Sequence, residues 1–596
     1  MEAARPPGRR RRARRGTVDR PLNTRLVRVA FVLMAPALLA VLFSLSTTGA
    51  LPRPPLEPVF DGTVAAAAAT ELSTEYPSRI PGSPEGTDAA RWYTETISAL
   101  GLQADEDIWS VDLPGLGRTE LRNIVTAIPG RSEETLVVVA HRDNRGAAQA
   151  FGDNASGTAA LIEIARGYAP QEIAPASLPQ RTLVFVSTDA GAYGGAGAAR
   201  FAAESAYAES ALAAIVLDGL GGRGRPRLAV AGNRSSSPAR ALVGTAAARI
   251  EEQTGEAPAL PGVVTQLVDL AIPYAAGEQG FFLARGVAAL TLTTDDPGDP
   301  SIPAGDSAAL LTTRTLSRLG RATEAIIGSI DESVGGAFRT QGSVFLDERA
   351  ASGWTVRLAL IVAVVPFALG VFDLLVRSRR RGLPFGPALR ALGTRLLMWA
   401  YVGFLIWIGT LTRIFPTGDA LPVPPYSSLV DDWFVPGAAL LTVALLLGWL
   451  VSHRRLVPWS QPSAEERLAG YTVAFGWIGV IAIVIALAKP YALIFVLPSL
   501  YAWLWLPSRS HLWSRAALFA AGLSGPVGGV VVLGHELGLG MIDTMLYIIE
   551  LVTVGYVAGA SVLLALAWAA AAAQLGALAF GRYAPYARGA NPGRDR

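Results

Sequence analysis

From Leu358 onward the chain is almost continuously apolar, in runs of about 20 residues that are each long enough to cross a bilayer as a helix. The runs predict spanning helices near 358–376, 396–412, 434–452, 470–488, 491–507, 515–534 and 553–573, a bundle of about seven over 358–573. A further apolar run, 29–46, follows a cluster of arginines (Arg9 to Arg12, Arg14, Arg15) and precedes no small-x-small cleavage site. It is read as an uncleaved transmembrane anchor behind a basic tail, 1–28. The stretch 51–58 is a proline-rich linker. Between it and the bundle, residues 62–347 contain no spanning segment and alternate short β-branched runs with helical ones. A chain of 596 residues, 51% hydrophobic and only 17% charged, is too long for one core and biased toward lipid.

The net charge of +3 conceals a strong asymmetry. With the N-terminus inside, the connections 377–395, 453–467 and 508–515 and the tail 582–596 hold nearly all membrane-flanking arginines, whereas the opposite loops hold little more than Arg413 and Lys489. Positive charge therefore collects on one side at every loop. That arrangement predicts a multi-pass plasma-membrane protein with cytoplasmic termini and the 62–347 domain outside, its constant partner being the bilayer. The arginine run is a cytoplasmic flank of a membrane helix and no nucleic-acid partner is expected. Trp433, Trp505 and Trp513 sit where interfacial anchors belong, and Asp373 is placed to meet Arg377. His535, Glu536 and Glu550 cluster near the outer face, and 541–549 reads as a surface or re-entrant helix rather than part of the last span. An ionisable group such as Glu550 at that depth is a candidate functional residue. The absence of cysteine excludes disulfides, thiol nucleophiles and thiolate metal sites.

Within 62–347, four short runs read as buried strands: Thr135 to Ala140, Arg181 to Ser187, Ala214 to Leu217 and Ala289 to Thr293. Alternation with helices such as Ser156 to Tyr168 predicts an α/β domain with a mostly parallel sheet covered by helices on both faces. Ligands of such sheets bind beyond the carboxyl ends of the strands. His141, Asp143, Asp189 and Asp218 all lie at those ends, and Asp153 opens a glycine-containing turn into a helix. A His and Asp cluster of this kind suits a hard, oxygen-rich metal site. The run Asp153-Asn154-Ala155-Ser156-Gly157 is equally a turn and helix cap, and His141 is equally a structural partner of Asp143 or Asp153.

The order and spacing of these segments resemble the dizinc aminopeptidase family that includes aminopeptidase Y, glutamate carboxypeptidase and the glutaminyl cyclases. Arg79-Ile80-Pro81-Gly82-Ser83, Arg122-Asn123-Ile124-Val125 with Ile128-Pro129-Gly130, Ala140-His141-Arg142-Asp143, and Gly152 to Gly157 follow one another at the family's intervals. The resemblance implies a zinc-exopeptidase fold. It also implies that His141 binds one zinc, Asp153 bridges, Asp218 binds the other, and Asp143 orients His141. The layout is similar to the peptidase-like subunit of GPI transamidase and to the endoplasmic reticulum metallopeptidases.

The sequence departs from the family where the chemistry is concentrated. The two adjacent glutamates, a base and a metal ligand, are matched by Gly191 and Ala192, and the last histidine ligand is matched by Gln279. His141 is the only histidine in the domain, so no second imidazole exists. A cocatalytic pair needs two metals about 3.5–4 Å apart around one activated water, and loss of a general base alone removes about 10²–10⁴ in rate. Asp189 and Glu278 are the carboxylates near enough in sequence to substitute as ligands. The expectation is a membrane-anchored, catalytically impaired aminopeptidase-like protein, with no confident catalytic residue and zinc in doubt, that binds a peptide or protein partner outside the membrane. Two alternatives remain open: an active zinc exopeptidase or acyl-transfer enzyme with an altered site, and a lipid-handling or transport function in the bundle with the outer domain as receptor.

Overall fold

The computed structural model describes residues 22–113, 116–146, 153–170, 178–299, 301, 308–333, 338–415, 434–456 and 463–580. Gly152, Trp433, the arginine cluster of the N-terminal tail and the tail 582–596 lie outside the described residues. The chain builds an α/β domain and a helical bundle, joined by a small antiparallel sheet. In that sheet β1 (Ser46–Thr47) pairs with β10 (Arg349–Ala351), which pairs with β9 (Val344–Leu346). The strand leaving the first apolar helix is thereby tied to the strand entering the second.

The main sheet has seven strands in the order β2-β3-β5-β4-β6-β8-β7. These are β2 (Asp105–Leu113), β3 (Gly117–Ile128), β4 (Ser132–His141), β5 (Arg181–Thr188), β6 (Ala211–Asp218), β7 (Arg227–Ala229) and β8 (Ala288–Thr293). The four central strands are parallel, as their uninterrupted apolar runs require. The flanking strands pair antiparallel with their neighbours, so β3 and β7 run against the central strands and β2 runs with them. In β4 successive side chains face opposite sides. Leu136, Val138 and Ala140 enter one buried cluster with Leu183, Phe185 and the helices Ala155–Arg166 and Thr313–Asp331. Val137 and Val139 enter the other with Val184, Val186, Phe201 and Phe282. The pairing of β4 with β5 runs through His141 opposite Thr188, which places His141, the last residue of β4, at the carboxyl edge of the sheet.

Among the described residues, eight helices are long and apolar enough to cross a membrane: 24–43, 353–380, 385–411, 435–453, 464–488, 490–508, 512–536 and 559–579. Their common core is aromatic and aliphatic, with Phe367, Phe475, Trp503 and Leu575 buried. Arg377 pairs with Asp373 one turn earlier on the same helix. A separate helix, Met541–Thr553, buries Tyr547, Glu550 and Leu551 and exposes Met541, Ile542 and Met545. That one-sided pattern suits a helix lying along an apolar boundary.

The α/β domain rests on the end of the bundle away from the membrane-flanking arginines. Tyr547 Oη lies 2.8 Å from Tyr274 Oη. Tyr556 Oη lies 2.9 Å from Asn233 Oδ1 and 3.0 Å from the Pro273 carbonyl. Tyr491 Oη reaches the Gly342 carbonyl at 2.9 Å. Each tyrosine contributes an apolar ring and a polar tip, the combination that a joint between a membrane helix and a watery domain needs.

Candidate active site

His141 emerges from β4 as a buried residue held on both ring nitrogens. Its Nδ1 lies 3.2 Å from the Asp143 carbonyl oxygen and 3.3 Å from Asp143 Oδ1. Its Nε2 lies 3.6 Å from Asp218 Oδ1, an electrostatic contact too long for a hydrogen bond. Burial disfavours the charged imidazolium, but the two carboxylates outweigh it and raise the pKa of His141 well above the ordinary value. His141, Asp143 and Asp218 are thus brought together.

Asp143 has a second task. Its Oδ1 accepts from Gly191 N at 2.7 Å and its Oδ2 from Ala192 N at 3.0 Å. The segment that would present the base and a metal ligand is therefore pinned by its backbone. Gly191 also lies flush against His141, because a Cβ placed on it would fall 2.3 Å from the histidine Cβ and Cγ. Any side chain at 191 requires His141 to move.

Asp153 is engaged elsewhere. Its Oδ1 forms a short ion pair with the guanidinium of Arg79, which is 1% exposed. Arg79 is held in turn by the carbonyls of Arg142, Leu72 and Tyr76. The next residue, Asn154, caps the 155–166 helix by accepting from Gly157 N at 3.1 Å. It also accepts from Gly219 N at 2.9 Å and donates to the Leu217 carbonyl at 2.8 Å, so one side chain ties the helix to the end of β6. Ser156 Oγ accepts from Gly221 N at 2.8 Å. The turn-and-cap reading of this motif describes these contacts.

The substitute ligands separate. Asp189 Oδ2 accepts from Arg142 Nη2 at 3.1 Å and from Arg122 N at 3.0 Å, facing the β3 side of the sheet and away from His141's partner Asp218. Burial raises its pKa, with Arg142 acting against the rise. Glu278 is buried with Oε1 accepting from Thr188 Oγ1 at 2.6 Å, while Oε2 has no hydrogen-bond partner among the described residues. Burial pushes its pKa up to about 7, although the nearby charge of His141 pulls it down. Gln279 is fixed by Thr291 Oγ1 at 2.6 Å and by the Ala231 carbonyl at 3.1 Å. Glu550 is buried on the 541–553 helix and is not among the residues lining the cleft at His141.

That cleft has a volume of about 260 Å³. His141, Asp218 and Gln279 line its base, Arg145 and Arg227 bring positive charge, and Glu536 and Leu537, at the end of the 512–536 helix, close the side toward the bundle. Asp269 faces Glu536 across the joint. Burial, then the neighbouring Glu536, raises the Asp269 pKa well above the ordinary value. Sequence reasoning missed Arg145, Arg227, Asp269 and Tyr274 as cleft residues, since none sits in a motif, and Arg79 was legible only as part of its Arg-Ile-Pro-Gly-Ser run.

The donor set does not fit a pair of zinc ions. One imidazole is available, Asp153, which the resemblance assigns as the bridge, is held by a guanidinium, and the resemblance matches Gly191, Ala192 and the hydrogen-bonded Gln279 to the family's two glutamates and histidine. Among the described residues no group of three or more His, Cys, Asp or Glu is arranged to hold a metal.

Residues 123–300 match the model of Peptidase family M28. Solved structures similar to this chain include a glutaminyl cyclase of Porphyromonas gingivalis (17% identity, TM-score 0.38, 46% of this chain and 100% of that one). A leucine aminopeptidase precursor from Bacteroides thetaiotaomicron is similar at 17% identity and TM-score 0.37, covering 46% of this chain and 98% of that one. A putative zinc-dependent exopeptidase from Bacteroides vulgatus is similar at 18% identity and TM-score 0.35, covering 46% and 97%. Among curated proteins, none matches this chain. Residues 123–300 thus match Peptidase family M28, in a chain whose described residues include eight helices apolar enough to span a membrane.

Proposed function

We propose that the α/β domain is a membrane-anchored, catalytically impaired relative of the exopeptidases that binds a peptide or a protein segment in the cleft at His141. The observation that carries this reading is the pairing of Arg79 with Asp153, which puts an internal cation on the carboxylate that a metal pair would share. The cleft supports a peptide ligand because it combines apolar wall (Leu228, Val230, Tyr274) with charges of both signs (Arg145, Arg227, Asp218). The crowding of arginines at the opposite end of the bundle supports an extracytoplasmic position for the domain in a plasma membrane.

The purified full-length chain, incubated with mixed peptides, is expected to bind without releasing amino acids. Substituting Ala231→Trp in the cleft wall should weaken binding. Amino-acid release that is abolished by His141→Ala would overturn the proposal. A second reading, a hydrolase with one metal, is favoured by the adjacency of His141 and Asp218 and by the Oε2 of buried Glu278, which has no partner among the described residues. It predicts release of amino acids that a chelator stops.

A further inference from the structure

A second cavity lies away from the cleft. It has a volume of about 1020 Å³ and lies between the 385–411, 434–456 and 559–579 helices, at the end of the bundle away from the α/β domain. Its walls are apolar or aromatic, Trp399, Leu446, Trp449 and Ala573 among them. Arg395 is the one charged residue among the described lining residues, and none of them is acidic.

Among the described residues, the 434–456 helix packs chiefly against the 385–411 helix. Tyr401 Oη donates to the Ala444 carbonyl at 3.1 Å and so fixes that helix to 385–411. Most of its remaining surface faces outward, with Leu446, Leu447, Leu450 and Val451 exposed. A lateral opening with these walls admits acyl chains. Water gains nothing there, because the walls offer few polar partners.

The charge sits at one end. Arg395 is 3% exposed and donates to the Leu456 carbonyl at 2.8 Å and the Ala391 carbonyl at 3.0 Å, so its guanidinium is held at the groove and not extended into solvent. A cation buried beside apolar walls at the end of a spanning helix is costly, and ionisable residues in such places mark ligand sites. Arg515 arrives from the 512–536 helix at the same end and donates to the Ala579 carbonyl at 2.8 Å, next to Phe580 in the groove wall. Arg390 and Arg467 belong to the same end of the bundle.

We propose that this groove is a binding site for one anionic phospholipid of the leaflet remote from the α/β domain, with acyl chains along Trp399 and Trp449 and the headgroup phosphate at Arg395. A zwitterionic lipid offers the same chains but no net charge to complement the arginines, so the site selects by headgroup.

The test uses the full-length chain in nanodiscs of phosphatidylglycerol and phosphatidylcholine mixed equally, followed by native mass spectrometry after gentle release. A retained phosphatidylglycerol adduct on the monomer is expected. Ala573→Trp, which fills the groove from an exposed position, should remove the adduct. Arg395→Gln should reduce the preference for phosphatidylglycerol about fivefold, a factor typical of one basic residue near a charged surface. Arg395→Lys should retain it. If Arg395→Gln fails to fold, Ala573→Trp decides alone. Equal retention of both lipids, an adduct that survives Ala573→Trp, or a lipid-free dimer packed across the groove would each overturn the proposal.

Discussion

The strand-end site falls into two halves. Asp143, Asp153, Asn154 and Ser156 match the family motifs, and each holds part of the fold together. Asp143 pins the backbone of 191 and 192, Asp153 neutralises Arg79, and Asn154 and Ser156 clamp the 155–166 helix to the loop after β6. At 191, 192 and 279, where the family's side chains serve chemistry, Gly191 and Ala192 have no functional group and Gln279 is consumed by Thr291 and Ala231. The contrast teaches that each motif residue of the first half has contacts within the fold, so a motif match in this domain is evidence of fold before it is evidence of reaction.

The sharpest break of that contrast is Arg79→Met. It leaves the buried Asp153 carboxylate without its cation, and removing one partner of a buried ion pair costs about 3–5 kcal/mol. Thermal or denaturant unfolding of the purified chain measures it. A change below about 1 kcal/mol would mean that Asp153 has no structural duty and is free for a metal.

The second effect is in pH. Glu278 has a folded pKa of about 7 against an ordinary value of 4.5. Between those values the folded chain keeps a proton that the unfolded chain has released, so the stability from this group is lost as pH rises from 4.5 through 7. The loss is on the order of 3 kcal/mol, at 1.36 kcal/mol per pKa unit. Glu278→Gln should flatten that part of the stability profile, and an unchanged profile would place the carboxyl in water.

Gly191→Ala is expected to cost about 1–3 kcal/mol, the usual penalty of overpacking, because the new methyl must displace His141. A neutral result would show room for a side chain at the base position. The smallest effect is Asn154→Ala, which removes a helix cap for about 1 kcal/mol. A much larger loss would assign most of the stabilisation to its contacts with Leu217 and Gly219 instead.

The parallel core was legible because β4, β5, β6 and β8 are apolar on both faces, and their last residues named His141 and Asp218 as site residues. Of the antiparallel edges, only the 122–125 part of β3 was marked, by its resemblance to the family, because β2 is partly or fully exposed over most of its length and offers no buried apolar run. The pairing of Arg79 with Asp153 joins residues 74 positions apart, and no local pattern encodes a contact that only tertiary packing creates. Glu536 was visible as a costly acid near the end of a span, but its place beside Asp269 and the cleft depends on how the domain seats on the bundle. Asp189 looked available for a metal from its position after β5. Arg142, one residue past His141, claims it.

Elemental analysis of zinc in the purified full-length chain, alongside His141→Ala and a folded-state control, tests the central claim most directly. The account predicts no stoichiometric zinc in either protein and unchanged unfolding temperatures after chelation. Zinc at one or two equivalents that disappears in His141→Ala would contradict it and return the domain to the active exopeptidases.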